Sequence, residues 1–395
     1  MKVYEIGTGY TPIPAQIGAA TEIVVEELTR ALQKRGVPVE IIDIAAERVP
    51  NDLPIRAVKV PKVFAGTDVS LGLRHKLKRV AYSICLAGEL KTLLRQREET
   101  VVLHFHNQYN LFFFLKLTPK ALREKALIAY TNHSGIWRLP WAEIEGTVRR
   151  RYFQEAECMK QADVVFALNE ETIRNAVQHF QIPEGRFVKI GNGVNTDTYH
   201  PLSDSEKAEI KKEFGFEGKK VILQVGSVCE NKGQARTVEM LAPLLREDNV
   251  FAYVGGIVSE EYHKTVQETA RRLGVESQVH YLGMASPGEA LNRLYNMAEA
   301  TVLSSGYESF GMVAIESLSA GIPVLVCGGS DLHFGAGCIP YSPDKLKNFS
   351  EYRESARENA VQNFAWDKVA ADYLQGWGEK YVKKAERHGH RDLPL

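Results

Sequence analysis

Short apolar runs alternate with longer stretches of helical periodicity along most of the chain. The first two runs, 2–6 and 39–44, enclose residues 19–35, whose apolar side chains recur at helical spacing and which end at Gly36. The alternation continues through runs at 101–105, 127–130, 164–167 and 188–190, and then at 221–225, 250–254, 279–282, 300–303 and 323–326. Repeated strand–helix–strand units predict an α/β protein with parallel sheets.

The length of 395 residues favours more than one such sheet, because a domain averages roughly 150 residues. The segment Gly191-Asn-Gly-Val-Asn195 and the following Pro201 interrupt the alternation. We therefore predict two doubly wound domains, with the break within residues 191–201. In such sheets ligands bind beyond the carboxyl ends of the strands, so functional residues are expected in the loops that follow strands.

Charge and composition exclude several classes of protein. The 49 Lys and Arg residues balance 49 Asp and Glu residues, which removes the basic excess expected of a nucleic-acid-binding protein. The apolar run at 111–115 is far shorter than the roughly 18 residues needed to span a bilayer, and no secretory signal is visible, so a cytoplasmic location is expected. Five widely spaced cysteines argue against a disulfide framework and a zinc site: Cys85, Cys158, Cys229, Cys327 and Cys338.

One region departs from this neutral balance. Residues 56–99 contain ten Lys or Arg residues and four acidic residues. Two interpretations remain open. The region is either a solvated face, or residues 56–97 form a surface for an anionic acceptor or for the inner face of a membrane, as basic amphipathic helices do.

The most informative loop follows the run at 300–303. It presents Glu308 in a turn that contains glycine, and a helix begins near Gly311. The unpaired amides at a helix start suit phosphate, and a glycine there permits close backbone approach. Glu316 lies eight residues after Glu308, so the two carboxylates can reach different hydroxyl-bearing parts of one ligand.

Two further loops carry candidate residues. Lys232 follows the run at 221–225, in a loop that leads into the next helix. In the N-terminal half, Gly18 and Ala19 open the first helix, while His104, His106 and His133 follow neighbouring strands. A structural role for these histidines remains an alternative, above all for His104 and His106.

The string Glu308-Ser-Phe-Gly-Met-Val-Ala-Ile-Glu316 resembles the Glu-x7-Glu signature of the retaining GT-B glycosyltransferases of family 4, also called glycosyl transferases group 1. The segments 192–195 and 255–256 resemble the family's linker and a glycine turn. The resemblance implies a GT-B fold, that is, two Rossmann-like domains facing a cleft. Residues 1–195 would form the acceptor-side domain, 196–365 the nucleotide-sugar domain, and a helix at about 366–395 would pack back on the first domain.

The same resemblance implies roles for individual residues. Lys232, Glu308 and His133 become the expected catalytic residues. Lys232 would meet the diphosphate, whose negative charge grows as the glycosidic bond breaks, and Glu308 and His133 would contact the donor sugar. Ser227 stands where the family has an arginine, and Asp331 falls where the family has an acidic residue in a longer segment. The residues expected to bind the donor are Gly18, Ala19, Gly226, Ser227, Phe310, Gly311, Met312, Val313 and Glu316, the last at the ribose.

The expected reaction is the transfer of a hexosyl group from a nucleotide diphosphate sugar to a hydroxyl acceptor with retention, in cell-surface glycan or glycolipid synthesis. UDP-sugars are the first donor expectation and GDP-mannose the second. No Asp-x-Asp motif follows a strand, so neither a metal nor another cofactor is expected. Two alternatives remain: a catalytically silent relative that binds sugar nucleotides or acts as a scaffold, suggested by Ser227, and a GT-B-type epimerase or phosphorylase.

Overall fold

A computed structural model of the chain describes residues 1–14, 20–48, 50–64, 73–245, 248–327, 334–342 and 348–387. Gly18, Ala19 and Asp331 therefore lie outside the described residues. The chain divides into two compact units, Met1–Gly193 with Trp366–Leu395 (unit 1) and Val194–Ala365 (unit 2). The division falls two residues before the boundary drawn from the sequence.

Unit 1 contains a parallel sheet in the order β3-β2-β1-β4-β5-β6-β7. Its strands are β1 (Lys2–Ile6), β2 (Val39–Ile44), β3 (Ile55–Val58), β4 (Val101–Phe105), β5 (Ala126–Asn132), β6 (Val164–Ala167) and β7 (Phe187–Lys189). Its helices are α1 (Ala20–Lys34), α2 (Leu73–Gln96), α3 (Gln108–Leu117), α4 (Lys120–Arg123), α5 (Trp141–Arg151), α6 (Phe153–Gln161), α7 (Glu170–Phe180) and the C-terminal α14 (Trp366–Arg387). The short strand β3 was missed by the sequence analysis.

Unit 2 contains a second parallel sheet, in the order β10-β9-β8-β11-β12-β13. Its strands are β8 (Lys220–Val225), β9 (Asn249–Val254), β10 (Val279–Tyr281), β11 (Ala300–Leu303), β12 (Val324–Val326) and β13 (Cys338–Pro340). Its helices are α8 (Asp204–Glu213), α9 (Gln234–Leu241), α10 (Glu260–Arg272), α11 (Glu289–Met297), α12 (Met312–Ser319) and α13 (Arg353–Phe364). The sequence analysis missed β13 and α13, because it predicted no element between the run at 323–326 and the helix at about 366–395.

Both sheets explain the uninterrupted apolar runs of the sequence. Every residue of β4 and β5 is buried, as expected of parallel strands that are covered by helices on both faces. The C-terminal helix α14 contributes to this cover in unit 1, where it packs on α1, β5 and β6. The Tyr381 hydroxyl donates to the Thr100 carbonyl at 2.6 Å, and the Lys384 ammonium lies 2.5 Å from the Asp163 carboxylate.

The strand orders locate the expected ligand sites. In each unit the order reverses between its first and fourth strands, β1 and β4 in unit 1 and β8 and β11 in unit 2. Ligands of doubly wound sheets bind beyond the carboxyl ends of the strands at this point. No helix among the described residues is long and apolar enough to cross a membrane, and all five cysteines are free.

Candidate functional site

The loops after β8 and β11 lie side by side at the reversal point of unit 2, because these two strands are paired. Backbone and side-chain hydrogen bonds join the loops to each other. The Gly306 amide donates to the Asn231 carbonyl at 2.7 Å, and the Tyr307 amide donates to Asn231 Oδ1 at 3.2 Å. The loop that carries Lys232 therefore has a fixed position relative to the loop that carries Glu308.

A buried polar cluster beneath the loops fixes the backbone of Lys232. Gln224 Nε2 and Ser304 Oγ donate to the Lys232 carbonyl at 2.7 and 2.9 Å. The Thr237 hydroxyl donates to Gln224 Oε1 at 2.8 Å, so the cluster is itself internally bonded. A Cβ at Gly233 would lie 2.7 Å from the Ser304 carbonyl, and Gly233 has a φ of +73°. The turn after Lys232 therefore requires glycine.

Lys232 and Glu308 form an ion pair through Nζ and Oε1. Their side chains are 23% and 13% exposed, and the Ser305 hydroxyl donates to the same carboxylate oxygen at 2.6 Å. Gly226 lies against the Lys232 stem, since a Cβ there would make an ordinary van der Waals contact with Lys232 Cδ at 3.5 Å. A cation and a carboxylate separated by 76 positions in the chain are thus brought together.

Glu316 lies on α12 and is partly buried. The Tyr295 hydroxyl donates to its Oε2 at 2.8 Å. Burial raises the pKa of Glu316 to about 7, and the hydrogen bonds from Tyr295 and Tyr199 oppose this rise. The carboxyl group is therefore poised between its neutral and ionised forms near neutral pH.

The start of α12 follows Glu308 closely. Gly311 precedes Met312 with a φ of +95°, a conformation that favours glycine, and Met312 and Val313 supply the first amides of the helix. The Phe310 side chain is buried and packs edge-to-face against Phe334 at 5.6 Å between ring centroids. Phe310 therefore has a core side chain, and only its backbone is available for the role expected of it.

Ser227 follows Gly226 and is exposed. Its carbonyl accepts a hydrogen bond from Gln234 Nε2 at 3.0 Å. Gly226 has a φ of +147°, and a Cβ at Gly255 would lie 2.1 Å from the Gly226 carbonyl oxygen. The two glycines therefore allow the backbones that follow β8 and β9 to pack directly against each other.

In unit 1, the strands β1, β4 and β5 bring Glu5 together with three histidines. Glu5 Oε2 lies 2.7 Å from His106 Nε2 and 2.9 Å from His104 Nδ1. His106 Nδ1 lies 3.0 Å from His133 Nε2, and His104 Nε2 lies 2.7 Å from the Thr131 hydroxyl. The sequence analysis missed Glu5, because a single acid within an apolar strand gives no signal of its partners.

Burial and neighbouring groups shift the titration of this network. Burial alone would raise the pKa of Glu5, but the adjacent His104 and His106 hold it at about 2. Burial lowers the pKa of His106 to about 4, and burial also lowers the pKa of His133 well below its usual value. At neutral pH, Glu5 is therefore an anion, and His106 and His133 are neutral imidazoles.

Three ligand-type atoms of Glu5, His104 and His106 lie within 4.8 Å of one another, so this is the described group that comes nearest to a metal site. Glu5 Oε2 makes a hydrogen bond with His106 Nε2 at 2.7 Å, whereas His104 Nδ1, 2.9 Å from the same oxygen, makes no hydrogen bond with any described residue. A metal ion would need oxygen or nitrogen ligands at about 2.0–2.2 Å from itself, with the ligands farther apart than they are here. The arrangement fits a buried polar network better.

Sequence profiles of known families match both units. Residues 21–198 match the profile described as "Glycosyltransferase Family 4", and residues 206–330 match "Glycosyl transferases group 1". Together the two matches cover about three quarters of the chain. The chain belongs to the family 4, group 1 glycosyltransferases. The GT-B fold expected from the sequence is thereby confirmed, with two parallel α/β units.

Relatives of this chain carry the names of different enzymes. Mannosylfructose-phosphate synthase of Agrobacterium fabrum is 30% identical over 216 residues, 50% of this chain and 47% of the relative. Lipopolysaccharide glucosyltransferase WaaG of Escherichia coli is 26% identical over 234 residues, 57% and 60% of the two chains. The chain spans about half the length of the curated relatives it matches first.

Among solved structures, HepE of Anabaena in complex with UDP superposes with a TM-score of 0.70. The match covers 96% of this chain and all of HepE, at 16% sequence identity. At this identity the likeness shows a shared fold.

A separate cavity of about 600 Å³ lies at the amino ends of β5, β6 and β7 in unit 1. Its basic residues include Lys380, Lys384 and Arg186. Lys380 donates to the Gly185 carbonyl at 2.9 Å, Lys384 pairs with Asp163, and Arg186 donates to the Ala162 carbonyl. These cations attach α14 and a loop to the sheet of unit 1, at the edge opposite to His106 and His133.

Proposed function

We propose that this chain transfers a hexosyl group from a nucleotide diphosphate sugar to a hydroxyl acceptor with retention of configuration. The observation that carries the proposal is the placement of Lys232 beside Glu308 at the reversal point of the unit 2 sheet. A nucleotide sugar presents a diphosphate and sugar hydroxyls within a few bonds of each other. A cation next to a carboxylate matches both groups.

The bond changes in this reaction need charge stabilisation more than a general base. The acceptor oxygen bonds to the anomeric carbon as the bond to the diphosphate oxygen breaks, and the departing diphosphate takes the acceptor proton on the same face. Lys232 and the amides of Phe310, Gly311, Met312 and Val313 would stabilise the diphosphate charge that develops, as donors to an oxyanion do.

The other donor contacts follow from the same assignment. Glu308 accepts hydrogen bonds from sugar hydroxyls and Glu316 from the ribose, while Gly226 and Ser227 line the diphosphate loop. His133 is proposed to contact the donor sugar. Gly18 and Ala19 are assigned to the diphosphate on the basis of the family resemblance alone. No metal ion is proposed to take part.

The donor is proposed to be a UDP-sugar, with GDP-mannose as the second candidate. The complex of HepE with UDP supports this choice. A ligand that binds the folded state at about 100 times its dissociation constant adds about 2.7 kcal/mol of stability. Thermal unfolding in the presence of UDP, GDP, ADP or TDP and their sugar conjugates therefore tests which nucleobase the donor carries. The expected result is stabilisation by UDP and UDP-sugars alone.

The transfer itself is tested with Lys232→Ala and Glu308→Gln. Removing one donor from an oxyanion site costs about 10²- to 10³-fold in rate, so Lys232→Ala should lose at least about 100-fold in transfer. The exposed Lys264→Ala and Glu268→Gln on α10 are the matched controls. Near-normal transfer by either site variant would refute the proposal, and stabilisation by nucleotides without any transfer would favour the silent relative.

We further propose that the acceptor is lipid-linked and that the enzyme meets it at the inner, cytoplasmic face of a membrane through residues 56–97. Helix α2 exposes Leu77, Val80 and Ile84, which are 51%, 36% and 47% exposed and lie at helical spacing on one face. The adjoining Lys76 is also exposed. Exposed apolar residues flanked by cations characterise helices that lie in a membrane interface, and WaaG is named for a lipopolysaccharide acceptor.

Vesicle sedimentation tests this surface. The protein should sediment with vesicles that contain anionic lipid and less with neutral vesicles. Leu77→Ser with Ile84→Ser should abolish binding, whereas Val258→Ser, an exposed apolar residue of unit 2, should not. Equal sedimentation of all variants, or none for the wild type, would refute the membrane proposal and leave the donor proposal intact.

A further inference from the structure

Three side chains of unit 1 form a linear hydrogen-bonded chain. It runs from Glu5 Oε2 to His106 Nε2 at 2.7 Å and from His106 Nδ1 to His133 Nε2 at 3.0 Å. Glu5 and His106 are 0% and 3% exposed, whereas His133 is partly exposed. The chain therefore leads from the interior of the sheet to a histidine that a ligand can reach.

The ionised Glu5 carboxylate determines where the proton lies in each hydrogen bond of this chain. An ionised carboxylate only accepts hydrogen bonds, so His106 Nε2 must carry a proton. A neutral imidazole carries one proton, so His106 Nδ1 is then an acceptor, and His133 Nε2 must supply the proton of the next bond. By the same reasoning His133 Nδ1 has no proton. Among the described residues, none makes a hydrogen bond to His133 Nδ1.

We infer that Glu5 and His106 are positioning residues that fix His133 in the Nε2–H tautomer, so that His133 Nδ1 accepts a hydrogen bond from a ligand hydroxyl. This inference rests on the proposed function for the identity of the ligand, a nucleotide sugar. The inference predicts that the site selects a sugar hydroxyl over fluorine at this position. The hydroxyl must donate a hydrogen bond to His133 Nδ1, and fluorine can only accept one. A histidine with the other tautomer would donate from Nδ1 and tolerate that replacement.

The remaining branch of the network offers a matched control. His104 Nδ1 lies 2.9 Å from the same Glu5 oxygen, and its Nε2 lies 2.7 Å from the Thr131 hydroxyl. Thr131 is as buried as Glu5. A Thr131→Val variant removes a buried polar group beside His104 and leaves all three members of the chain from Glu5 to His133 in place.

The tautomer can be read directly in the full-length protein. Nitrogen-15 spectra of the histidine side chains distinguish protonated from unprotonated ring nitrogens, and His133→Asn assigns the His133 signals by their loss. The expected result near pH 7.5 is a protonated Nε2 and an unprotonated Nδ1. A proton on His133 Nδ1 in the wild type would overturn the inference, whatever the activity of the enzyme.

The role of Glu5 is tested with Glu5→Leu, which removes the acceptor at similar size. His133 should then show a mixture of tautomers, whereas Thr131→Val should retain the wild-type pattern. The KM for the UDP-sugar should rise about tenfold in Glu5→Leu, the loss of one hydrogen bond, while the affinity for UDP, which has no sugar, should not change. An unaltered His133 tautomer in folded Glu5→Leu would contradict the inference. If no variant or wild type binds a UDP-sugar but the tautomer is as expected, the proposed function fails and the positioning role stands.

Discussion

The titration of Glu316 predicts a stability that depends on pH. Its pKa is about 7 in the folded protein and 4.5 in the unfolded chain, and burial is the main cause of the difference. Below pH 4.5 the carboxyl is protonated in both the folded and the unfolded state, so its titration does not change the free energy of unfolding. As pH rises from 4.5 to 7, the unfolded chain ionises first and the folded state loses stability. Above pH 7 both states are ionised and the loss is complete.

The magnitude follows from the two pKa values. Each unit of difference between the two pKa values corresponds to about 1.36 kcal/mol in the free energy of unfolding. The titration of Glu316 therefore lowers this free energy by about 3 kcal/mol at pH 8 and by less than about 1 kcal/mol at pH 5. Glu316→Gln removes the titrating group and keeps an oxygen that can accept from Tyr295. We therefore expect Glu316→Gln to stabilise unit 2 by about 3 kcal/mol at pH 8 and by much less at pH 5.

The assay must separate the two units, because a two-unit chain need not unfold in one step. All four tryptophans lie in unit 1: Trp137, Trp141, Trp366 and Trp377. Tryptophan fluorescence during urea unfolding therefore reports unit 1, and a transition in far-ultraviolet circular dichroism that fluorescence does not follow reports unit 2. Only the second transition should respond to Glu316→Gln.

The control variant is Glu209→Gln, an exposed acid on α8. A surface substitution of this kind should change stability by less than about 0.5 kcal/mol at either pH. A gain for Glu316→Gln that is equal at pH 5 and pH 8 would show that packing, and not charge, is its cause. No gain at pH 8 would show that Glu316 is adequately solvated, and the reasoning would fail.

Three further outcomes are expected. Gly255→Ala should destabilise unit 2 by more than about 2 kcal/mol, because the new Cβ would meet the Gly226 carbonyl. Gly274→Ala, at a φ of +69° and with open space around the new Cβ, should cost about 1 kcal/mol in the same urea titration. Phe310→Ala should cost about 3–5 kcal/mol as a buried aromatic and Met312→Ala less, which denaturation of unit 2 by circular dichroism would check. Dialysis against EDTA should leave transfer unchanged, and a loss of transfer that Mg²⁺ restores would contradict the expectation that no metal takes part.

Most strands could be predicted from the sequence because parallel strands are buried on both faces and read as unbroken apolar runs. The two missed strands lack that signal. Strand β3 (Ile55–Val58) is an edge strand with a single fully buried residue, and β13 (Cys338–Pro340) is an edge strand of three residues. An edge strand has a neighbouring strand on one side only, so its sequence shows less of the unbroken apolar run that marks a central parallel strand.

The site was predictable to the extent that its residues follow strands. Lys232 and Glu308 each follow one of the two strands at the reversal point, so the topology rule places both at one edge. Their direct ion pair was not predictable, because it depends on hydrogen bonds between loops that are 76 residues apart. Glu5 was missed for a similar reason: its partners lie about 100 residues away on another strand.

The ion pair also determines how variants of the site must be interpreted. Lys232 and Glu308 are both mostly buried and compensate each other's charge, so removing either residue leaves the other as an uncompensated charge. Loss of transfer in a single variant therefore does not by itself assign a separate role to the missing residue. Ligand affinities separate the roles, because UDP contains the diphosphate but no sugar. If Lys232 binds the diphosphate and Glu308 the sugar, Glu308→Gln should retain the affinity for UDP and lose the additional affinity that a UDP-sugar has, whereas Lys232→Ala should lose both.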